Sequence, residues 1–167
     1  MARHLKIAAA QLGPLHKADS RAVAVTRLLK LLRDAHAMGA KFVVFPELAL
    51  TTFFPRWWMD DQAEVDRRYF ESKVPSAETQ PLFDEAKKLG IGFYLGYAEL
   101  TPEKRRFNTA ILVGPDGSIV GKYRRSTCPA TRTTSRRPPS SISRRSTSRS
   151  ATSASAYGSS WEPSPAC

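Results

Sequence analysis

The apolar residues at the start of the chain follow two successive patterns, a short continuous run and then a helical repeat. The run at residues 5–12 predicts a strand, which Gly13 and Pro14 end. Asp19 or Ser20 can then cap a helix that extends to about residue 38, where Gly39 can end it in a left-handed conformation. The apolar side chains that recur at helical spacing in this segment are Val23, Leu28, Leu31, Leu32 and Ala35.

A second apolar run at residues 41–45, rich in Val and Phe, predicts a strand that is buried on both faces. Pro46 ends this strand, because proline has no N–H group to donate to a neighbour. An aromatic loop at 48–60 follows. Further along the chain, the patterns predict helices at 61–70 and 78–89 and strands at 91–99, 106–113 and 118–123. This order predicts an α/β fold with a mixed sheet.

The composition changes sharply after residue 125. Residues 126–167 hold 6 Arg and one acidic residue, Glu162, and 19 of these 42 residues are Ser or Thr. The segment contains no Leu, Val, Phe or Lys. It therefore has too little apolar surface to offset the entropy lost on ordering, and we expect a disordered tail. We accordingly divide the chain into a domain at 1–125 and a tail at 126–167.

Charge and cysteine content narrow the class of protein. The net charge of +11 is shared between both parts, since residues 1–125 carry 20 basic and 14 acidic side chains. Cys128 and Cys167 are too few for a disulfide framework. No apolar stretch approaches the ~20 residues that span a bilayer, and the N-terminus lacks a signal-peptide core. We expect a soluble cytoplasmic protein that does not act at a membrane.

Glu47 is the candidate catalytic residue, because it follows the buried strand at the carboxyl edge of the predicted sheet. Strand ends of this kind are where α/β folds place their chemistry. A carboxylate there can have a raised pKa and act as a general base. The alternative is a glutamate that is merely solvated or that caps a backbone N–H group.

Four ordered sequence blocks resemble N-carbamoyl-D-amino-acid amidohydrolases of the carbon–nitrogen hydrolase, or nitrilase, superfamily. They are V-V-F-P-E-L-A-L-T-T-F-F-P-R-W at 43–57, G-I-G-F-Y-L-G-Y-A-E-L at 90–100, K-R-R-F-N-T-A-I-L-V at 104–113 and G-K-Y-R at 121–124. The resemblance implies the N-terminal part of a four-layer α-β-β-α sandwich. It also implies a Glu–Lys–Cys triad without metal or organic cofactor, a small-molecule substrate and a homo-oligomeric assembly.

The resemblance gives Glu47 the role of general base. In that family a cysteine thiolate attacks the carbamoyl carbon, ammonia leaves, and water hydrolyses the thioester-like intermediate. The resulting carbamate decomposes to carbon dioxide and the D-amino acid. The thiol and later the water must each lose a proton to a nearby base, and a lysine stabilises the developing oxyanion.

Residues near Glu47 in these blocks have two interpretations each. Residues 51–54, which include Phe53, and Trp57 can line a substrate pocket, although aromatic side chains in loops more often pack against the core. Asn108 can orient Glu47 or the substrate, or it can satisfy backbone groups alone. The three histidines match nothing catalytic, and we expect them at the surface.

The resemblance ends at Arg125, which stands where the family has its catalytic lysine. The family's next motif, I-H-L-P-G-H-K, is replaced by Ser126 and the residues that follow it. Arginine is a wide planar donor and a poor substitute for a compact ammonium group. The loss of one adenine from an AAG-ATC codon pair would give Arg125 and Ser126. If the codons that follow are read one nucleotide earlier, their degeneracy allows them to encode the peptide I-H-L-P-G-H-K.

We therefore interpret the tail as an out-of-frame translation. On this interpretation Cys128 and Cys167 are products of the shifted frame, and the nucleophilic cysteine lies beyond residue 167. The second sheet of the sandwich is then missing, which leaves an apolar sheet face and sheet edges exposed to aggregation. We expect this chain to be inactive.

Two other functions are compatible with the sequence. Another amidase or nitrilase of the same superfamily fits the four blocks, because the family's carboxylate-binding residues lie outside them. A nucleic-acid- or protein-binding module could use the arginine–serine segment at 136–149, since such arms bind phosphates by charge. Residues 126–167 contain no lysine and few aromatic side chains for base stacking, which argues against binding of nucleic acid by this segment.

Overall fold

The computed structural model describes residues 4–125 of the chain. The predicted disordered tail lies outside the described residues. The elements, in chain order, are β1 (Ile7–Ala9), α1 (Arg21–Ala37), β2 (Phe42–Val44), a short 3₁₀ helix (Phe54–Arg56), α2 (Gln62–Tyr69), α3 (Gln80–Leu89), β3 (Gly92–Leu100), β4 (Arg106–Val113) and β5 (Ile119–Arg124). Every predicted helix and strand is present, with ends shifted by a few residues. The exception is β4, whose predicted bounds are the observed ones.

The strands form one mixed sheet in the order β1-β2-β3-β4-β5. The first three strands are parallel, and β3, β4 and β5 are antiparallel neighbours. This arrangement confirms the predicted α/β fold with a mixed sheet. The carboxyl ends of β1 and β2 lie at the same edge, so the loops that follow these two strands are neighbours.

The ends of α1 are fixed by the residues that the sequence indicated. The Ser20 side chain accepts a hydrogen bond from the Val23 backbone N–H and so caps the first turn. At the other end, Gly39 has φ of +80°, the left-handed conformation expected after a helix. Of the apolar side chains that recur at helical spacing, Leu28 and Leu32 are buried, whereas Val23 is 38 % exposed.

The core lies between one face of the sheet and the helices α1 and α3. Val43, Phe45, Phe93 and Ile111 point to this face and are at most 1 % exposed. The Phe93 ring contacts the rings of Phe45 and Phe83 with centroids 5.8 and 5.3 Å apart. A helical layer and one sheet, two of the four predicted layers, are thus present in the described residues.

The opposite face of the sheet carries apolar side chains that no described residue covers. Ile7, Val44 and Leu112 are 55 %, 38 % and 42 % exposed, and the strand register places all three on this face. The prediction that β2 is buried on both faces is therefore wrong for the described residues. The apolar composition of β2 suits a strand that is covered by a layer on each face. Residues 4–125 supply the helical layer on one face and no layer on the other.

A buried carboxylate, Glu99, fixes β5 to β3. Its oxygens accept two hydrogen bonds from Arg124 at 2.8 Å, one from Lys122 at 2.6 Å and one from Thr109 at 2.8 Å. The Arg124 hydrogen bonds, followed by those of Lys122 and Thr109, outweigh burial and lower the pKa of Glu99 to about 2. These contacts set the register of β5, whose last residue precedes Arg125.

We expect this cluster to make stability pH-dependent between about pH 4.5 and 2. A carboxyl group whose pKa is lowered on folding stabilises the fold above its unfolded pKa of about 4.5 and loses that contribution as the pH falls towards 2. Glu99→Gln should therefore be less stable than wild type at pH 7, with a difference that narrows below pH 4.5. Urea unfolding at several pH values measures this.

Glu64→Gln is the control, because this carboxylate is 55 % exposed and lies 3.9 Å from Arg68. Its stability should follow wild type at every pH. A Glu99→Gln curve that runs parallel to wild type from pH 7 to 2 would contradict the assignment.

None of the helices described between residues 4 and 125 is long and apolar enough to cross a membrane.

Candidate active site

Glu47 lies in the loop that leaves β2 and crosses the face of β3. β2 ends at Val44, and the Ala49 N–H donates to the Gly96 carbonyl at 2.9 Å, which anchors the loop. Leu48, the residue after Glu47, has φ of 51°, in the left-handed region that non-glycine residues seldom adopt. A strained residue held in place by its surroundings is typical of functional loops. Here the turn at Leu48 separates a buried Leu48 side chain from an exposed Glu47 side chain.

Three residues that the sequence singled out lie together at this point. The Asn108 side-chain amide donates a hydrogen bond to Glu47 Oε1. The Arg125 backbone N–H donates to the Asn108 carbonyl at 2.9 Å, and Arg125 Nη1 lies 3.6 Å from Glu47 Oε1. Since β4 and β5 are paired, Asn108 on β4 and Arg125, the residue after β5, reach the same carboxylate.

The Glu47 carboxylate is open to solvent along one side of a cleft. Its side chain is 52 % exposed, and that of Arg125 is 63 % exposed. The cleft has a volume of about 670 Å³, within the range of small-molecule sites, and is lined by residues 9–15, 46–49, 51–53 and 56. Glu47 therefore lies on the wall of an open cleft.

The residues of the aromatic loop differ in role: some line the cleft, and others pack against the core. Thr51, Thr52 and Phe53 line the cleft, and Phe53 is 52 % exposed there. Phe54 instead stacks on Tyr69 with ring centroids 4.9 Å apart, and Trp57 packs against the same small apolar cluster. Phe53 is thus placed to contact a ligand, whereas Phe54 and Trp57 hold the loop.

Gly96, which the sequence analysis did not single out, supports the Glu47 loop. A Cβ atom at this position would lie 3.2 Å from Glu47 Cα and 3.3 Å from the Pro46 carbonyl oxygen. The backbone of the loop therefore rests directly on the glycine. The signal was present in the sequence, since a glycine within an apolar strand often marks a close backbone approach.

We expect Gly96→Ala to displace the Glu47 loop and to lower the free energy of unfolding by about 1–3 kcal/mol, the usual cost of overpacking. Gly121→Ala is a matched control on β5, because its Cβ would meet nothing closer than the Leu112 Cβ at 3.6 Å. Chemical denaturation of both variants measures the effect. Equal stability of the two variants would show that the loop is not in close contact with Gly96.

The described residues offer a base and hydrogen-bond donors but no nucleophile. Cysteine is absent from residues 4–125, where serine and threonine are the other candidates, and none of these lies at hydrogen-bonding distance from Glu47. Within the same residues, no three His, Cys, Asp or Glu side chains are grouped so that they could hold a metal ion. The arrangement can bind a proton at Glu47 and place positive charge from position 125 beside it.

Comparison with curated proteins finds similarity to amidases and nitrilases. The chain is 29 % identical to the omega-amidase NIT2 of Homo sapiens over 101 residues, which cover 60 % of this chain and 33 % of the relative. It is 35 % identical to a nitrilase of Pyrococcus abyssi over 99 residues, which cover 58 % of this chain and 34 % of that protein. The chain thus spans about a third of the length of these relatives.

Solved structures have the same fold. An N-terminal amidase superposes with a TM-score of 0.57 at 22 % identity and covers 72 % of this chain and 28 % of its own. Saccharomyces cerevisiae Nit3, of the nitrilase superfamily, superposes with a TM-score of 0.55 at 21 % identity, over 70 % of this chain and 43 % of its own. The family model for carbon–nitrogen hydrolases matches residues 6–160, which reach into the predicted tail. The chain therefore belongs to the carbon–nitrogen hydrolase family.

Proposed function

We propose that the chain is the N-terminal part of an amidohydrolase that removes the carbamoyl group from N-carbamoyl-D-amino acids. The observation that carries the proposal is the contact of Asn108 and Arg125 with the Glu47 carboxylate. Glu47 itself lies in the lining of the cleft. Glu47 and Asn108 lie in sequence blocks that resemble the D-carbamoylases, and position 125 directly follows the last of these blocks. The partner is a small molecule, without a role for nucleic acid or a membrane, and the protein acts in the cytoplasm as a homo-oligomer.

In this proposal Glu47 is the general base. It takes the proton first from the nucleophilic thiol and then from the attacking water, while ammonia and the carbamate leave in turn. The Asn108 amide orients the carboxylate, because its hydrogen bond fixes one oxygen and leaves the other for proton transfer. Position 125 supplies the cation that stabilises the oxyanion.

The location of Arg125 beside Glu47 supports the proposal, whereas its guanidinium group differs from the lysine ammonium that the proposed mechanism requires. Its guanidinium is 3.6 Å from Glu47, so a side chain at this position reaches the general base. A lysine would present a compact ammonium there, whereas the planar guanidinium forms an ion pair that occupies the base. With the triad's cysteine absent from residues 4–125 and the tail read in the shifted frame, this chain is proposed to be inactive.

The substrate class is tested on the chain with its reading frame restored by one inserted adenine at codon 125. Ammonia release should be fastest from N-carbamoyl-D-phenylglycine, with little from the L enantiomer. Omega-amidase activity is the second candidate, favoured by the 29 % identity to omega-amidase NIT2. Faster release from the ω-amide of a dicarboxylic acid would replace the carbamoyl assignment with that one.

A further inference from the structure

Leu48 adopts an unfavourable backbone conformation directly beside Glu47. Its φ of 51° lies in the left-handed region, where the Cβ atom of an L-residue crowds the carbonyl oxygen that follows it. Only a few per cent of residues other than glycine adopt this region. The conformation therefore depends on contacts that the surrounding structure makes with Leu48.

The side chain of Leu48 makes such contacts. It is 6 % exposed and belongs to a small apolar cluster with Phe54, Val65, Tyr69 and Ala98. We call this group the α2 cluster, because two of its members lie on that helix. Burial of a leucine side chain contributes more to stability than one left-handed residue costs. The buried side chain can therefore hold the turn.

The helix α2 is itself fixed to the strand that carries Asn108. Asp66 of α2 accepts two hydrogen bonds from Arg106 of β4, at 2.6 Å from Nε and at 2.7 Å from Nη2. A guanidinium and a carboxylate that meet through two parallel hydrogen bonds have a well-defined relative orientation. Arg106 and Asn108 are two residues apart and lie on the same face of β4. The support for Leu48 and the hydrogen-bond donor to Glu47 thus share one strand.

The backbone that follows Leu48 is anchored. The Ala49 N–H donates to the Gly96 carbonyl at 2.9 Å, and the Thr51 N–H donates to the Leu48 carbonyl at 3.1 Å. With these positions fixed, rotation about the N–Cα bond of Leu48 changes the position of the preceding residue, Glu47. A return of Leu48 to negative φ would therefore move the Glu47 carboxylate.

We infer that Leu48 is a positioning residue for Glu47. Its side chain, held by the α2 cluster, maintains the left-handed turn that brings the Glu47 carboxylate to Asn108 and position 125. The role of Glu47 as general base rests on the proposed function, whereas the position of its carboxylate does not. Leu48 acts on the reaction through the backbone of the loop.

The first test measures kcat and KM for three variants of the frame-restored protein. Leu48→Ala keeps the Cβ atom and loses the buried side chain, so kcat should fall by at least about tenfold with little change in KM. Leu48→Gly loses the same contacts, but glycine adopts positive φ as readily as negative φ, and its kcat should fall by only about twofold. Leu48→Met keeps an apolar side chain of similar volume and should retain the parent kcat.

Leu82→Ala is the matched control for the loss of a buried leucine. Leu82 is 0 % exposed and lies on α3, in the main core. Its truncation should lower stability at least as much as Leu48→Ala does and leave kcat unchanged. A kcat for Leu48→Gly at or below that for Leu48→Ala, or an equal loss of kcat in Leu82→Ala, overturns the inference. A role in packing alone predicts those results.

The position of the carboxylate can also be measured without activity, in the 167-residue chain, from the NMR signals of the Asn108 side-chain amide. Asn108→Asp identifies these signals by removing them, and Glu47→Ala shows where they lie without their acceptor. Leu48→Ala should shift the signals towards their Glu47→Ala position, whereas Leu48→Met should leave them in place. Signals that Leu48→Ala does not shift overturn the inference.

Failure of the proposed function would be distinguishable from failure of this inference. A frame-restored chain without ammonia release, combined with Asn108 signals that depend on Leu48, would remove the carbamoyl assignment and leave the positioning role. Ammonia release with the same kcat in Leu48→Ala and Leu48→Gly would leave the activity and remove the positioning role.

Discussion

The 167-residue chain is expected to release no ammonia from N-carbamoyl-D-phenylglycine, and insertion of one adenine at codon 125 is expected to create that activity. The physical reason is the covalent step. Without the thiolate, the carbamoyl carbon is left to attack by water, and loss of a covalent nucleophile reduces turnover by a factor on the order of 10⁶. On the frame hypothesis, the restored frame would replace Arg125 with lysine and would continue through the family's I-H-L-P-G-H-K motif.

The measurement is a discontinuous ammonia assay on both proteins at equal concentration. A two-nucleotide insertion at the same codon, which opens the third frame, is the matched control and should remain inactive. Ammonia release from the original chain above that of its Glu47→Ala variant would contradict the frame hypothesis. So would a restored chain that folds and shows no release.

In the frame-restored protein, Glu47→Gln should lower kcat by a factor of about 10²–10⁴, the usual contribution of a general base. Glutamine keeps the size of the side chain and can still accept the hydrogen bond from Asn108. It cannot accept the proton of the thiol. The loss should therefore appear in kcat, while KM and the thermal unfolding midpoint change little.

Glu64→Gln is the control for the loss of one surface carboxylate. Glu64 is 55 % exposed and has an arginine at 3.9 Å, much as Glu47 is 52 % exposed with Arg125 at 3.6 Å. Both variants should therefore have similar stability, and Glu64→Gln should keep wild-type kcat. A Glu47→Gln protein with kcat within a few-fold of the frame-restored parent would remove Glu47 from the catalytic machinery.

The sequence predicted the elements and their order because strong periodicity and end signals coincide in this chain. The Ser20 cap and the left-handed Gly39 mark the two ends of α1, and the apolar runs mark β2 and β3. The location of Glu47 could also be predicted from the sequence, because a carboxylate directly after an apolar strand must emerge at the sheet edge. Its meeting with Asn108 and Arg125 was indicated by the family resemblance alone, because local patterns do not reveal the pairing of β4 with β3 and β5 on which it depends.

The remaining differences have a common cause in long-range packing. Apolar composition cannot distinguish a strand that is covered on both faces from one that awaits a second layer, and Val44 lies on the open face. The Glu99 cluster joins side chains that are 10 to 25 residues apart in sequence, and the alternation along β5 alone does not reveal their common acceptor. The role of Gly96 likewise depends on which loop lies above it.

Lysine and arginine at position 125 can be compared in the frame-restored protein to test whether this position and Glu47 form one catalytic site. The lysine form should release ammonia, and the arginine form should be slower by at least about 10²-fold, the cost of losing one oxyanion donor. Both forms should unfold at the same temperature, because the side chain at this position is 63 % exposed. Equal kcat values for the two forms would contradict the claim that position 125 and Glu47 form one catalytic site.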